Sequence, residues 1–139
     1  MKNNCQTIDD YITSGGKIKT IPYAGSNNYR TSDLAIIRFH AAKQKAFKKC
    51  LGFDLTVRWI EKKIINGYCE ATGIKFNNEI GSPFIASIDR KDSSKGYTKD
   101  NCWIVCWFFN CMKMDYDIDK LFEFCEIIIE NGENILERM

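Results

Sequence analysis

Acidic, amide and basic side chains gather in one stretch of this chain, Ile88-Asp89-Arg90-Lys91-Asp92-Ser93-Ser94-Lys95-Gly96-Tyr97-Thr98-Lys99-Asp100-Asn101, and resume in Val105-Cys106-Trp107-Phe108-Phe109-Asn110-Cys111-Met112-Lys113. Taken singly, each has an ordinary use. Asp89 can cap a turn, Asn101 can bond loop backbone, and Asn110 can satisfy a buried amide. Arg90 has sharper chemistry. A guanidinium stays protonated in proteins, so Arg90 cannot act as a general base, yet it can grip a phosphate through paired hydrogen bonds. Asp92 and Tyr97 are candidates for a base, though Asp92 also suits a turn and Tyr97 a packed aromatic. The one histidine, His40, lies far from this stretch in sequence and reads as a helix-surface or packing residue.

These side chains need a frame. The chain has 139 residues, 45% apolar and 13% aromatic, which suits one compact domain with a real core. Thr31 or Ser32 can cap a helix to about Cys50, with Ala35, Ile36, Phe39, Ala42, Ala46 and Cys50 inward. Asp54 or Thr56 can cap a second helix through Asn66, burying Val57, Ile60 and Ile64, with Trp59 joining them. Cys69-Glu70-Ala71-Thr72-Gly73 is turn-like. Pro83–Ile88 reads as a strand ending at Asp89, Ser93–Gly96 as a loop, and Cys102–Val105 as a second strand. A short helix from near Cys106 then carries Asn110 and Lys113. Asp117 can cap a last helix with Ile118, Leu121, Phe122, Cys125, Ile128 and Ile129 inward and Gly132 at its end. Residues 1–30 carry turn signals at Gly15-Gly16 and Gly25–Asn28 and a helix breaker at Pro22, which suit an arm or small substructure. Residues 31–139 read as a single domain with its strand–loop–strand–helix core at about 83–114.

Charge is unevenly spread. Residues 1–63 carry 12 Lys and Arg against 5 Asp and Glu, whereas residues 64–139 carry 8 against 13. One face for a polyanion is the expectation. Arg38, Lys45, Lys48 and Lys49 are its best candidates, with Lys43 beside them and Arg58, Lys62 and Lys63 extending it; Lys91, Lys95 and Lys99 add charge in the motif loop. The first ten residues lack the apolar segment of a secretory signal, and no apolar run is long enough to span a bilayer. Seven cysteines in no regular framework suit free thiols in a reducing cytoplasm.

The combined spacing from Ile88 to Lys113 resembles the motif of the HNH, or His-Me finger, endonucleases. That motif has Asp-His at one strand end, a glycine-containing loop, Asp-Asn at the next strand, and a helix bearing a His or Asn ligand and a Lys. The close match covers about a third of the chain, and the wider stretch from Ala41 to Phe124 is similar to small phage-type members. The resemblance implies an α+β fold, a ββα-metal module flanked by helices. It implies a divalent ion, Mg²⁺ or Mn²⁺, held by Asp89 and Asn110 against the scissile phosphate. It also implies that Asn101 orients the base, and it sets Arg90 at the position of the family's catalytic histidine. Many members hold a structural zinc with two Cys-x-x-Cys pairs; here Thr72 and Phe109 stand at the second positions, so no structural zinc is expected and a packed apolar replacement is.

The expected activity is metal-dependent DNA cleavage with Asp89, Arg90, Asn101 and Asn110 at the site, in a protein of phage or mobile-element origin working in the cytoplasm of its host. The alternative is a catalytically silent HNH fold that binds DNA or inhibits a host defence protein. A membrane role is not expected.

Overall fold

The structure, a computed structural model, describes residues 28–139. The expectation for residues 1–27 lies outside the described residues. The elements are α1 (Thr31–Lys48), α2 (Val57–Ile65), β1 (Ala86–Arg90), β2 (Cys102–Cys106), α3 (Trp107–Lys113), α4 (Ile118–Glu130) and α5 (Gly132–Glu137). β1 and β2 form an antiparallel hairpin that pairs Ala86 with Cys106, Ile88 with Ile104 and Arg90 with Cys102. The fold is α+β: a ββα unit with helices before and after it.

Both faces of the hairpin are covered, so its strands are buried almost throughout. The alternation of side chains still sorts them. Ala86 and Ile104 face Leu34 and Ala35 of α1 and Ile60 and Ile64 of α2. Val105 points the other way, into a cluster with Cys69, Cys106, Phe109 and Leu121. A third cluster joins Ala42, Ala46, Leu55, Tyr97 and Cys102, and so fixes the motif loop against α1.

The local signals hold with some shifts. Thr56 caps α2, its hydroxyl accepting from Trp59 N at 3.2 Å. Asp54 instead accepts from Lys99 N at 2.8 Å, which ties the interhelix link to the motif loop. α1 starts at Thr31 after an extended Arg30 and has no side-chain cap, so neither Thr31 nor Ser32 caps it. Leu34 replaces Ile36 and Cys50 in its buried stripe, because α1 ends at Lys48 and both those residues face outward. Asp117 precedes α4 without a capping bond. Of the apolar residues expected inward on α4, only Leu121 is buried, with Ile118 and Cys125 packed beside it; Phe122, Ile128 and Ile129 are exposed. The reason is that α4 packs mainly against α3 and α5 and meets the sheet only along the Leu121 side, in the cluster with Val105 and Cys106. Gly132 begins α5 rather than ending α4.

One close approach holds the motif loop down. A Cβ on Gly96 would lie 2.4 Å from the carbonyl oxygen of Gly52, and Tyr97 N donates to that same oxygen at 2.8 Å. Only glycine fits there.

Candidate functional site

Asp89 lies at the penultimate position of β1, directly opposite Trp103 of β2. That register lets the Trp103 indole Nε1 donate to Asp89 Oδ2 at 2.7 Å. From α3, the Lys113 ammonium reaches the same carboxylate, 3.4 Å from Oδ1 and 3.3 Å from Oδ2, and donates to the Arg90 carbonyl at 2.9 Å. Lys113 is fully buried and Asp89 is 5% exposed. A buried ammonium is tolerable only with such a partner and such bonds.

Asn110, one turn earlier on α3, donates through Nδ2 to Ser87 Oγ at 2.9 Å and to the Ile88 carbonyl at 3.1 Å. The Ile88 carbonyl can only accept, so the amide orientation is set, and Oδ1 is the atom left to offer to a ligand. Asp89 and Asn110 line one cleft of about 490 Å³, together with Lys45, Arg90, Tyr97 and Asp115. Two hard oxygen donors lining one cleft are ligands of the kind a divalent ion takes, with water and phosphate completing its coordination. Among the described residues, no group of three or more His, Cys, Asp or Glu comes together around a space for an ion.

Arg90 is buried at the end of β1. Its Nη1 donates to the carbonyls of Ser93, at 2.6 Å, and Lys95, at 2.9 Å, while Nη2 contacts Asp115 Oδ1 at 3.3 Å. The guanidinium lies 4.9 Å from the centroid of the Tyr97 ring, over which it stacks. Asn101 is likewise bound into the loop. Its Oδ1 accepts from Asp92 N at 3.1 Å, and its Nδ2 donates to the carbonyls of Asp92 and Gly96, both at 2.9 Å. Asn101 thus positions the loop backbone, and none of these three bonds goes to the Arg90 side chain.

The other candidate bases have different work. Asp92 accepts from the amide and hydroxyl of Ser94, and these with Lys95 hold its carboxyl down at about 2. Burial pushes the Tyr97 phenol up. The first is too weak a base near neutral pH and the second keeps its proton. His40 is exposed on α1, edge-on to Phe39, and is not among the residues lining the cleft.

Of the cations expected to meet a polyanion, Lys45 lines the cleft directly. Lys48 is exposed on the same helix, and Lys49 pairs loosely with Asp115 at 3.5 Å. Arg38 is different: its Nε donates to the Ala86 carbonyl at 2.8 Å, and burial lowers its pKa, so it fastens α1 to β1. Lys91 donates to the Asp100 carbonyl at 3.2 Å and Lys95 pairs with Asp92 at 3.0 Å, while Lys99 is exposed at the loop end.

Cys69 and Cys106 do meet, the Cys106 N–H pointing to Cys69 Sγ at 3.3 Å, in the cluster that Phe109 completes. Thr72 is exposed and lies outside that cluster, contrary to its expected part in an apolar replacement, whereas Phe109 packs into it beside Leu121. Burial disfavours the Cys69 thiolate, but the Thr72 hydroxyl and neighbouring backbone N–H groups outweigh it and lower the pKa; burial raises that of Cys106.

Lys113 and Trp103 are the site residues that sequence reasoning does not assign. Lys113 is visible as the lysine closing the motif, and Trp103 as an aromatic in the second strand. Their convergence on Asp89 depends on strand register, which spacing alone does not fix.

Among the described residues, no helix is long and apolar enough to cross a membrane. No family model matches the chain. An uncharacterised protein of Acanthamoeba polyphaga mimivirus is 28% identical over 104 residues, spanning 75% of this chain and 18% of that protein. The chain therefore matches less than a fifth of that relative's length. Among solved structures, the rare-cutting HNH restriction endonuclease PacI superposes with a TM-score of 0.53 at 14% identity, covering 84% of this chain and 94% of the other. That likeness establishes an HNH-like fold for this chain.

Proposed function

We propose that this chain is an HNH-like module that binds DNA and hydrolyses its phosphodiester bonds with a divalent ion at Asp89 and Asn110. The observation that carries this reading is the shared cleft, lined by Asp89, Asn110, Arg90 and Lys45 together. Such a donor set matches a phosphate with its counter-ion. The ion would supply charge stabilisation at the scissile phosphate. The chain's own residues bind and orient. Trp103 and Lys113 fix the rotamer of Asp89, and Ser87 with the Ile88 carbonyl fixes that of Asn110. Arg90 and Lys45 would neutralise phosphate charge. The viral source of the similar protein, a mimivirus of Acanthamoeba, is in keeping with a mobile-element origin and does not bear on a phage one.

A specific observation favours a second reading. A guanidinium at the position of the family's base cannot accept a proton, and neither Asp92, Tyr97 nor His40 replaces it. On that reading the module binds DNA, or a host defence protein, without cleaving. Supercoiled plasmid incubated with Mg²⁺, with Mn²⁺ or with EDTA separates the two. Nicking that needs the ion and is lost in Asp89→Ala supports the nuclease. Retention of plasmid without nicking under all three conditions supports the binding module.

A further inference from the structure

Asp115 holds its carboxylate between two cations at the edge of the cleft. Oδ1 lies 3.3 Å from Arg90 Nη2, and Oδ2 lies 3.5 Å from Lys49 Nζ. The two cations come from different elements, one from the end of β1 and one from just after α1. Because Arg90 Nη1 is spent on the Ser93 and Lys95 carbonyls, Nη2 is the edge of the guanidinium turned to an exchangeable partner. Arg90 is 6% exposed and fixed, whereas Asp115 is 71% exposed. Both contacts of Asp115 are long for charge-assisted bonds, and the Lys49 pair, exposed on both sides, contributes little.

The backbone that delivers Asp115 is held under strain. Met114 has φ 53° and ψ −130°, an unfavourable conformation for a residue with a side chain. The Ser93 hydroxyl pins the next carbonyl, donating to Asp115 O at 2.6 Å. A carboxylate with one negative charge spread over two oxygens, set between two cations, has the charge and span of the two free oxygens of a phosphodiester. Lys45 lines the same cleft and brings a third cation.

We propose that Arg90, Lys49 and Lys45 form a subsite for one DNA phosphodiester, and that Asp115 is an internal stand-in which the phosphate displaces. The inference rests on the DNA-binding part of the function proposed above, and not on cleavage. Asp115 then sets a threshold: an isolated anion has to compete with a tethered carboxylate, while duplex DNA brings neighbouring phosphates for the rest of α1.

The test is fluorescence anisotropy with a short labelled duplex in EDTA, so that cleavage plays no part. Asp115→Asn is compared with Asp117→Asn, which removes the same charge two residues away, each with Lys49 intact and with Lys49→Gln. Asp115→Asn should tighten binding by about 3- to 10-fold, and Asp117→Asn by less than about 2-fold. Lys49→Gln should erase most of the Asp115→Asn gain. Equal gains from the two Asp changes would mean long-range charge alone, and would overturn the subsite. So would wild-type binding that Asp115→Asn leaves unchanged, or a gain indifferent to Lys49. No duplex binding by any variant would overturn the DNA reading itself, and the subsite with it.

Discussion

The Lys113 ammonium lies 3.4 Å and 3.3 Å from the two carboxylate oxygens of Asp89, and neither side chain is more than 5% exposed. The pair joins α3 to β1 across the base of the cleft, so the candidate ligand and the core share one interaction. Removing one partner strands the other without solvent. Lys113→Met should therefore cost about 3–5 kcal/mol in urea unfolding, the usual scale for breaking a buried ion pair. A loss under about 1 kcal/mol would show that the pair is not buried in solution.

Gly96 gives a purely steric prediction. Its approach to the Gly52 carbonyl leaves no room for a methyl group, and the obstacle is backbone. Gly96→Ala should destabilise by about 1–3 kcal/mol through overpacking and a displaced loop. Thermal unfolding reads this directly; an unchanged midpoint would place the loop elsewhere.

The basic face of α1 predicts salt dependence. With Lys45, Lys48 and Lys49 changed together to Ala, the log–log slope of duplex affinity against salt should shrink, by roughly 0.9 for each phosphate that is no longer neutralised. Lys45 should matter most alone, since it lines the cleft. Arg38→Ala should show in stability and not in the slope, because its Nε is bonded to Ala86. An unaltered slope in the triple variant moves the DNA face away from α1.

Asp92 gives a pH prediction. Its folded carboxyl is held at about 2, against an ordinary 3.8. A depressed acid stabilises the fold above its unfolded value, and that contribution is lost as pH falls through the folded one. Order in the Ser94 turn should thus persist above about pH 4 and disappear towards pH 2, as read from the Ser94 amide resonance. Asp92→Asn should flatten that transition; a transition that survives the change would assign it to another group.

Much of the frame is legible in the sequence because local chemistry and the fold agree. Thr56 caps α2 as its sequence suggests, Ile60 and Ile64 carry its buried face, and both strands lie within a few residues of their expected ends. The stripe on α4 misleads because periodicity marks apolar residues without saying what covers them, and Phe122, Ile128 and Ile129 remain exposed. At the site, residue types are legible and partners are not. Arg38 and Lys45 look alike in sequence, yet one is bonded to a strand carbonyl and the other faces the cleft. Trp103 and Lys113 reach Asp89 only through a register and a helix placement that no local spacing specifies.

Arg90→His probes whether the proposed site keeps an HNH-like arrangement around a base position filled by arginine. The variant places an imidazole, which can accept a proton near neutral pH, beside Asp89. It also gives up the Arg90 bonds to Ser93 and Lys95, so its folding is checked by circular dichroism alongside. The measurement is the rate of plasmid nicking in Mg²⁺ or Mn²⁺ by the folded variant against the wild type. The expected result is a rise of about 10²–10⁴-fold, the usual contribution of a positioned general base. A folded Arg90→His protein that nicks no faster than the wild type, or a strong wild-type activity that the change abolishes, would contradict that arrangement.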